Sequence, residues 1–372
     1  MKINKLPYLN LTKSNEDIRE ELVNQFESFI DDGFYVMGNQ LLDFENNYSI
    51  YNKVNHTVGV SNGLDALFLC LKSLNIGTGD EVIVPSNGYI ATVLSIIRVG
   101  AKPVFVEPNV HTYNIDPLKI ESTITKKTRA IIPIHLYGLC CEMDKINEIC
   151  KKHNLHIIED NAQGHGSSFK GKLSGAWGKV NATSFYPSKN LGAFGDAGAI
   201  TTNDRQIANK IKSLRNYGSS TRYLNEYIGY NMRLDELQAG LLVIKLKYLD
   251  RWNNERRKIA DIYIKNLSSV KEVILPVTNK DSTHVYHIFN IRIIERDELA
   301  KHLHKSNIQT LIHYPIPPHL QKATSYLGYK KGDFPIAEEL ADTSLSLPIW
   351  PGMKDDQIIY IVQEIKKFYN EG

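Results

Sequence analysis

The chain has 372 residues, 44 Lys+Arg against 41 Asp+Glu for a formal net charge of +3, and 42% hydrophobic, 23% charged and 9% aromatic residues. This balance is that of an ordinary globular protein, and it excludes a disordered chain, a strongly basic nucleic-acid binder and a disulfide-framed secreted domain. The length predicts two domains, or one large domain with an appendage, with enough core to leave a cleft between them.

Four cysteines, Cys70, Cys140, Cys141 and Cys150, form no CxxC pair and read as reduced, mostly buried thiols. The opening MKINKLPYLNLTKSNED turns polar too early for the apolar core of a signal peptide. No apolar run reaches the roughly 18 residues of a spanning helix. The expectation is a cytoplasmic protein with neither membrane nor nucleic acid as partner.

In chain order, Ser14 and Asn15 precede acidic residues and then Ile18, Leu22, Phe26 and Phe29 at helical spacing, predicting a helix over 14–30. A second amphipathic stretch covers 40–53. Short Val/Ile-rich runs then alternate with helix-like segments: HTVGV, EVIVP, KPVFVE, RAIIPIH and HIIED, with helices at 63–75, 89–100 and 141–153. Such alternation with apolar strands predicts a mostly parallel sheet covered on both faces. Ligands of such sheets bind beyond the carboxyl ends of the strands, so the residues there carry the functional signal. A long helix is predicted over 232–266. A composition shift near 250–270 predicts a large domain over 1–250 and a smaller α/β domain over 251–372.

Four strand-end segments could carry chemistry. Ser61-Asn62-Gly63-Leu64-Asp65 turns from a strand into a helix, whose free first-turn amides suit an anion such as phosphate. Glu159-Asp160 ends HIIED, with Gln163 one turn on. Lys189 lies in the turn-rich, Gly-dense SFYPSKNLGAFGDAG, where burial would lower the amine's pKa and make it nucleophilic. That segment is no Walker loop, and AITTN after it reads as a strand rather than the helix of a dinucleotide site. Tyr89 follows EVIVP in PSNGYIAT and could stack on a planar ligand. Together, a phosphate cradle, an acidic strand end and a buried lysine are what pyridoxal 5′-phosphate requires.

These residues sit in a longer set of ordered motifs: LPYLNL, FYVMGNQLLDFE, VGVSNGLDALFLCL, IIPIHLYG, HIIEDNAQGHGSSFKGKLSGAWG, SFYPSKNLGAFGDAGAITTND, GYNMRLDELQAGLL and IHYPIPPHLQ. Over nearly the whole chain they resemble the sugar aminotransferases of the DegT/DnrJ/EryC1/StrS group. The resemblance implies an α/β fold of the fold-type-I, aspartate aminotransferase-like class. It also implies roles. Lys189 would be the Schiff-base lysine and later the proton shuttle. Asp160 would pair with the pyridine nitrogen, Gln163 would sit by the ring hydroxyl and Tyr89 would stack on the ring. The Gly63 and Leu64 amides and the Ser184 hydroxyl would hold the phosphate, and Asn231 would reach it across a homodimer interface. Tyr186, His313, Tyr314 and His319 would lie near the substrate. No metal site is expected: His302 and His304 lie on different sides of a helix.

Some positions depart from the pattern. Gly195-Asp196-Ala197-Gly198 stands where the group often has Gly-Asp-Gly-Gly, and Leu139-Cys140-Cys141 where a polar residue commonly follows HLYG. Gly88 stands where Thr is common, which predicts a more mobile loop before Tyr89. The cluster Arg251, Arg256, Arg257 and Lys258 reads as a solvated helix face, and Arg215 and Arg222 as candidates for a nucleotide diphosphate.

The implied reaction takes the amine of L-glutamate, through the pyridoxamine phosphate form, to a keto group of a nucleotide-linked 6-deoxyhexose. The NGLDAL turn, YIAT and SFYPSKNLGAFGD resemble members acting on dTDP-3-keto-6-deoxyhexoses. C3 amination for a cell-surface glycan (lipopolysaccharide, O-antigen or S-layer) is the expectation, with C4 amination of a 4-keto sugar as the alternative. A non-catalytic cofactor-binding regulator is a more remote one, opposed by the presence of Lys189, Asp160 and Ser184.

Overall fold

Each apolar run becomes a strand because Val and Ile suit a pleated, doubly covered surface, and each amphipathic stretch between them becomes a covering helix. In the computed structural model, which describes residues 5–221 and 223–370, the chain opens with α1 (Leu11–Asn15), α2 (Arg19–Asp32) and α3 (Asn39–Asn52). The helix expected over 14–30 is thus divided by a 3₁₀ turn at Glu16–Ile18. Next come β1 (His56–Val60), α4 (Gly63–Ser73), β2 (Glu81–Pro85), α5 (Ile90–Arg98) and β3 (Lys102–Val106). β4 (Thr128–Ile131), α6 (Met143–His153) and β5 (His156–Asp160) follow. β6 (Val180–Ser184), β7 (Gly198–Thr202) and α7 (Arg205–Leu214) complete the layer.

These strands form one seven-stranded sheet in the order β1-β7-β6-β5-β4-β2-β3. Only β7 runs against its neighbours; the other pairs are parallel. The carboxyl ends of β1, β2, β4, β5 and β6 therefore share one edge, and β7 starts there, with Gly198 opposite both Val60 and Ser184. Val58, Val84, Ile132, Ile158 and Ile200 are buried with Leu67, Leu71 and Ile96 of α4 and α5, so the core runs along the sheet face.

The long helix expected over 232–266 is two: α8 (Glu236–Leu246) and α9 (Leu249–Leu267). At the break the Tyr248 hydroxyl donates to Glu21 of α2 and its ring packs on Trp252. No Gly or Pro marks the site; tertiary contacts turn the chain there. Upstream, residues 233 and 235 form isolated bridges with Val60 and Val36 instead of helix.

Beyond α9, β8 (Phe289–Arg292), α10 (Arg296–Lys305), α11 (Pro335–Thr343), β9 (Ser344–Leu347) and α12 (Asp355–Asn370) gather a separate apolar cluster around Tyr263, Phe289, Leu299, Leu345 and Ile361. Leu6 belongs to this cluster and pairs through its backbone with Asn307 and Gln309, so the first described residues pack with the C-terminal half. Arg256 is no solvated residue. It is buried, and its guanidinium donates to the carbonyls of Tyr286 (3.2 Å) and Ile349 (3.1 Å). Among the described residues, no helix is long and apolar enough to cross a membrane.

Candidate active site

A cleft of about 570 Å³ opens at the carboxyl edge of the sheet. It brings together Gly63, Leu64, Tyr89, Asp160, Gln163, Ser184 and Lys189, and Tyr186, His313 and Tyr314 line it as well.

At one end lies the first turn of α4, whose leading amides have no acceptor within the helix. Asn62 caps the turn by accepting from the Asp65 N–H at 2.9 Å. The Asp65 carboxylate is itself held by the Ser61 hydroxyl (2.6 Å) and the Arg98 guanidinium (2.6 Å), so its charge is neutralised beside an anion-binding turn. Gly63 lies directly against Ser184 at the end of β6: a Cβ added there would stand 2.6 Å from the Ser184 Cβ. This close approach sets the Ser184 hydroxyl beside the free amides, a donor set that suits a phosphate group.

On the floor, Asp160 ends β5 at 5% exposure. One carboxylate oxygen accepts from the Thr92 hydroxyl at 2.6 Å and the other from the Ala162 N–H at 3.1 Å. No described cation forms an ion pair with it. A buried carboxylate lacking a paired cation at the wall of a cleft is unstable alone, and a protonated ring nitrogen would complete it. Thr92 went unnoticed as its partner in sequence, because it lies 68 residues upstream. Its only signal is its place one turn into the helix after PSNGY.

Glu159, next to Asp160, faces the other way. It is buried against His135 (2.7 Å) and accepts the amides of Gly175, Trp177 and Gly178, and so anchors the 175–178 loop. Gln163 is fixed at both ends, accepting from the Tyr137 N–H (2.6 Å) and donating to the Tyr314 hydroxyl oxygen (3.1 Å). Tyr89, half exposed, stands 5.1 Å from Tyr314 across the cleft. Gly88 before it is buried, and a Cβ there would meet the Ile134 side chain at 2.2 Å. The glycine here permits close packing against Ile134.

Lys189 occupies a loop folded back on itself, with Phe185 N–H bonded to the Ala197 carbonyl and Ala193 N–H to that of Phe185. Loss of solvent around its amine outweighs the field of Asp160 and lowers the pKa to about 8. Burial and the Lys189 charge also hold neighbouring histidines neutral: His313 is pushed down to about 4 and His165 to about 3. Asn190 donates to Asn253 (2.8 Å) and to the Val285 carbonyl (3.0 Å), and its own oxygen meets His287 Nδ1 (3.2 Å), tying the loop to the C-terminal half. Ala197, replacing the commoner glycine, is buried in the cluster around Phe44 and Phe185 and is accommodated there.

Two expected contacts fall elsewhere. His319 does not line the cleft; it is buried with Nε2 on Glu338 (3.1 Å) and its ring against Phe334, an arrangement that holds α11. Arg215 is buried on Glu45 and the Gly59 carbonyl, so it is not free for a diphosphate. Arg222 lies outside the described residues. Asn231 is exposed and does not line the cleft of its own chain.

The profile of the DegT/DnrJ/EryC1/StrS aminotransferase family matches residues 16–366. The chain belongs to this family. It is 47% identical over 363 residues to the dTDP-3-amino-3,6-dideoxy-alpha-D-galactopyranose transaminase of Aneurinibacillus thermoaerophilus, covering 98% of this chain and 99% of that one. The crystal structure of DesV from S. venezuelae superposes with a TM-score of 0.97 at 43% identity, covering 98% and 99% of the two chains. NtdA of Bacillus subtilis, solved with bound pyridoxamine phosphate, superposes with a TM-score of 0.88 at 30% identity, covering 98% of this chain and 86% of that one. The protein is a pyridoxal phosphate-dependent sugar aminotransferase of α/β fold, and its cleft carries the donor set that this cofactor needs.

Proposed function

We propose that the enzyme moves the amino group of L-glutamate to the C3 keto group of a dTDP-linked 3-keto-6-deoxyhexose, giving a 3-amino-3,6-dideoxyhexose for a cell-surface glycan. The observation that carries this reading is the full-length 47% identity to a transaminase named for the 3-amino sugar.

When bound, the cofactor supplies an electron sink for the carbon that loses or gains a proton. The chain's residues supply the rest. The Gly63 and Leu64 amides and the Ser184 hydroxyl hold its phosphate. Asp160, aligned by Thr92, keeps the ring nitrogen protonated, while Gln163 and Tyr89 fix the ring from its edge and face. Lys189 links the cofactor to the protein, and its amine, poised near neutrality, carries the proton to and from the sugar carbon at Nζ. Neutral His313 offers a hydrogen bond without competing for that proton.

The nucleotide would extend into an adjoining cleft of about 920 Å³, which shares Tyr186, Ser188 and His313 with the first and is walled by Tyr8, Lys301 and Lys305. A homodimer with shared sites accounts for two features. The first is the exposed apolar band of Phe26, Ile30, Phe34, Tyr35 and Val36, and the second is the exposure of Asn231, which would serve the neighbouring subunit's phosphate. Four buried, unpaired cysteines suit the reducing cytoplasm.

The test follows 2-oxoglutarate release from L-glutamate with each keto sugar supplied. Turnover with the dTDP-3-keto sugar and not the 4-keto isomer supports the proposal; the reverse preference assigns C4 amination. No turnover with either, in protein that holds the cofactor, overturns the proposed substrate class.

A further inference from the structure

Behind the Lys189 loop lies a second lysine that the chemistry above does not use. Lys245 sits in α8 between Ile244 and Leu246 and is buried. Its ammonium donates to the Gly192 carbonyl and stands 4.8 Å from the Phe194 ring and 5.9 Å from that of Trp252. Among the described residues no carboxylate pairs with it. Burial alone lowers its pKa to about 8. A cation held out of water with one carbonyl and two aromatic faces for compensation is costly, and a packing role would be served better by an apolar side chain.

What it grips is the exit of the lysine loop. Gly192 packs on the start of that loop, where an added Cβ would lie 2.2 Å from the Pro187 carbonyl oxygen. A pull on the Gly192 carbonyl therefore fixes Pro187 and residue 192 together, with Lys189 between them. Two turns earlier on the same helix, Gln238 accepts the Phe194 N–H at 2.8 Å, so α8 holds the loop at two points. Lys189, Lys245 and Arg256 line one small void behind the site.

We propose that Lys245 is a positioning residue for Lys189: through the Gly192 carbonyl it holds the loop in the register that aims the Lys189 amine at the cofactor. The inference rests on the reading of Lys189 as the cofactor-linked lysine, and the test separates the two.

Holoenzyme is reduced with borohydride, the fraction of cofactor covalently retained is measured, and the modified peptide is located by mass. In the parent the label must fall on Lys189; a label elsewhere defeats that reading whatever Lys245 does. Lys245→Met, which keeps the apolar stem but loses the donor, should melt no lower than the parent and retain less cofactor covalently. Its kcat should fall about tenfold to a hundredfold with KM changed less than about threefold. Lys245→Arg, which keeps a charged donor, should recover much of the covalent fraction. A folded Lys245→Met with parental covalent fraction and kcat overturns the proposal. Should Lys245→Met fail to fold, Lys245→Arg and Lys245→Gln decide: retention of linkage in these donors supports it, and loss in folded donor variants overturns it.

Discussion

The contact between Gly63 and Ser184 is the narrowest point of the proposed phosphate cradle, and Gly63→Ala tests it. The new methyl would lie 2.6 Å from the Ser184 Cβ and 3.2 Å from both its Cα and its Oγ. None of these is the loose end of a long side chain: Ser184 ends a strand hydrogen-bonded on both sides, between β5 and β7. The first turn of α4 must instead retreat by about 0.8 Å to reach ordinary contact at 3.4 Å. Such overpacking costs about 1–3 kcal/mol of stability. The same retreat draws the Gly63 and Leu64 amides away from a phosphate held by Ser184. A hydrogen bond to a charged group is worth about 1.5–3 kcal/mol, so weakening two of them by half costs a similar amount in binding. At about 1.4 kcal/mol per tenfold, the Kd for pyridoxal phosphate rises about tenfold to a hundredfold. Fluorescence titration of apoenzyme with cofactor measures this, with a thermal melt alongside. Gly195→Ala is the matched control, since its Cβ would meet only the Gln238 amide, at an ordinary 3.4 Å. A Gly63→Ala enzyme binding cofactor as tightly as the Gly195→Ala control would refute the cradle.

Thr92→Val removes the hydroxyl 2.6 Å from Asp160 and leaves that carboxylate oxygen without its donor; kcat should fall about tenfold to a hundredfold in steady-state assays at unchanged sugar KM. Because the amine of Lys189 is held down to about 8 from an ordinary 10.5, its reactive neutral form grows as pH rises through 8. The rate of cofactor capture by apoenzyme, followed in stopped flow, should rise with a midpoint there, and a midpoint at 10 or above would contradict the desolvated setting. If Asn231 serves the neighbouring subunit's site, inactive Lys189→Ala and weakened Asn231→Ala chains should complement. Refolded together in equal amounts, half the dimers are hybrids with one intact site of two, adding about a quarter of parental activity to the residual rate of the Asn231→Ala chains, whereas sites confined to one chain give that residual rate alone.

Much of this was legible in sequence. HTVGV, EVIVP and HIIED became strands at the expected places because period and β-branching agree, and the residues following them line the cleft. The lysine loop could be singled out because a lone Lys amid Gly and aromatic residues has no surface role. What stayed hidden depends on partners distant in sequence. The turn at Tyr248 is made by Glu21 and Trp252, not by any breaker residue. Arg256 reads as one of four exposed basic residues until the carbonyls of Tyr286 and Ile349 are brought to it. His319 shares a loop with cleft residues His313 and Tyr314, yet packs on Glu338, which no local pattern foretells. The close approach of Gly88 to Ile134 likewise shows only once the fold brings the two segments together.

The most direct test of the account is to follow the nitrogen. The holoenzyme is supplied with ¹⁵N-labelled L-glutamate and a pool of dTDP-6-deoxyhexose in which the 3-keto and 4-keto isomers interconvert, and the product is examined by proton–nitrogen NMR. The account predicts a ¹⁵N label whose coupled proton network places it on C3, with the H4 couplings then reporting the configuration at C4. A label on C4 would contradict the assignment while leaving the family and the cofactor chemistry in place.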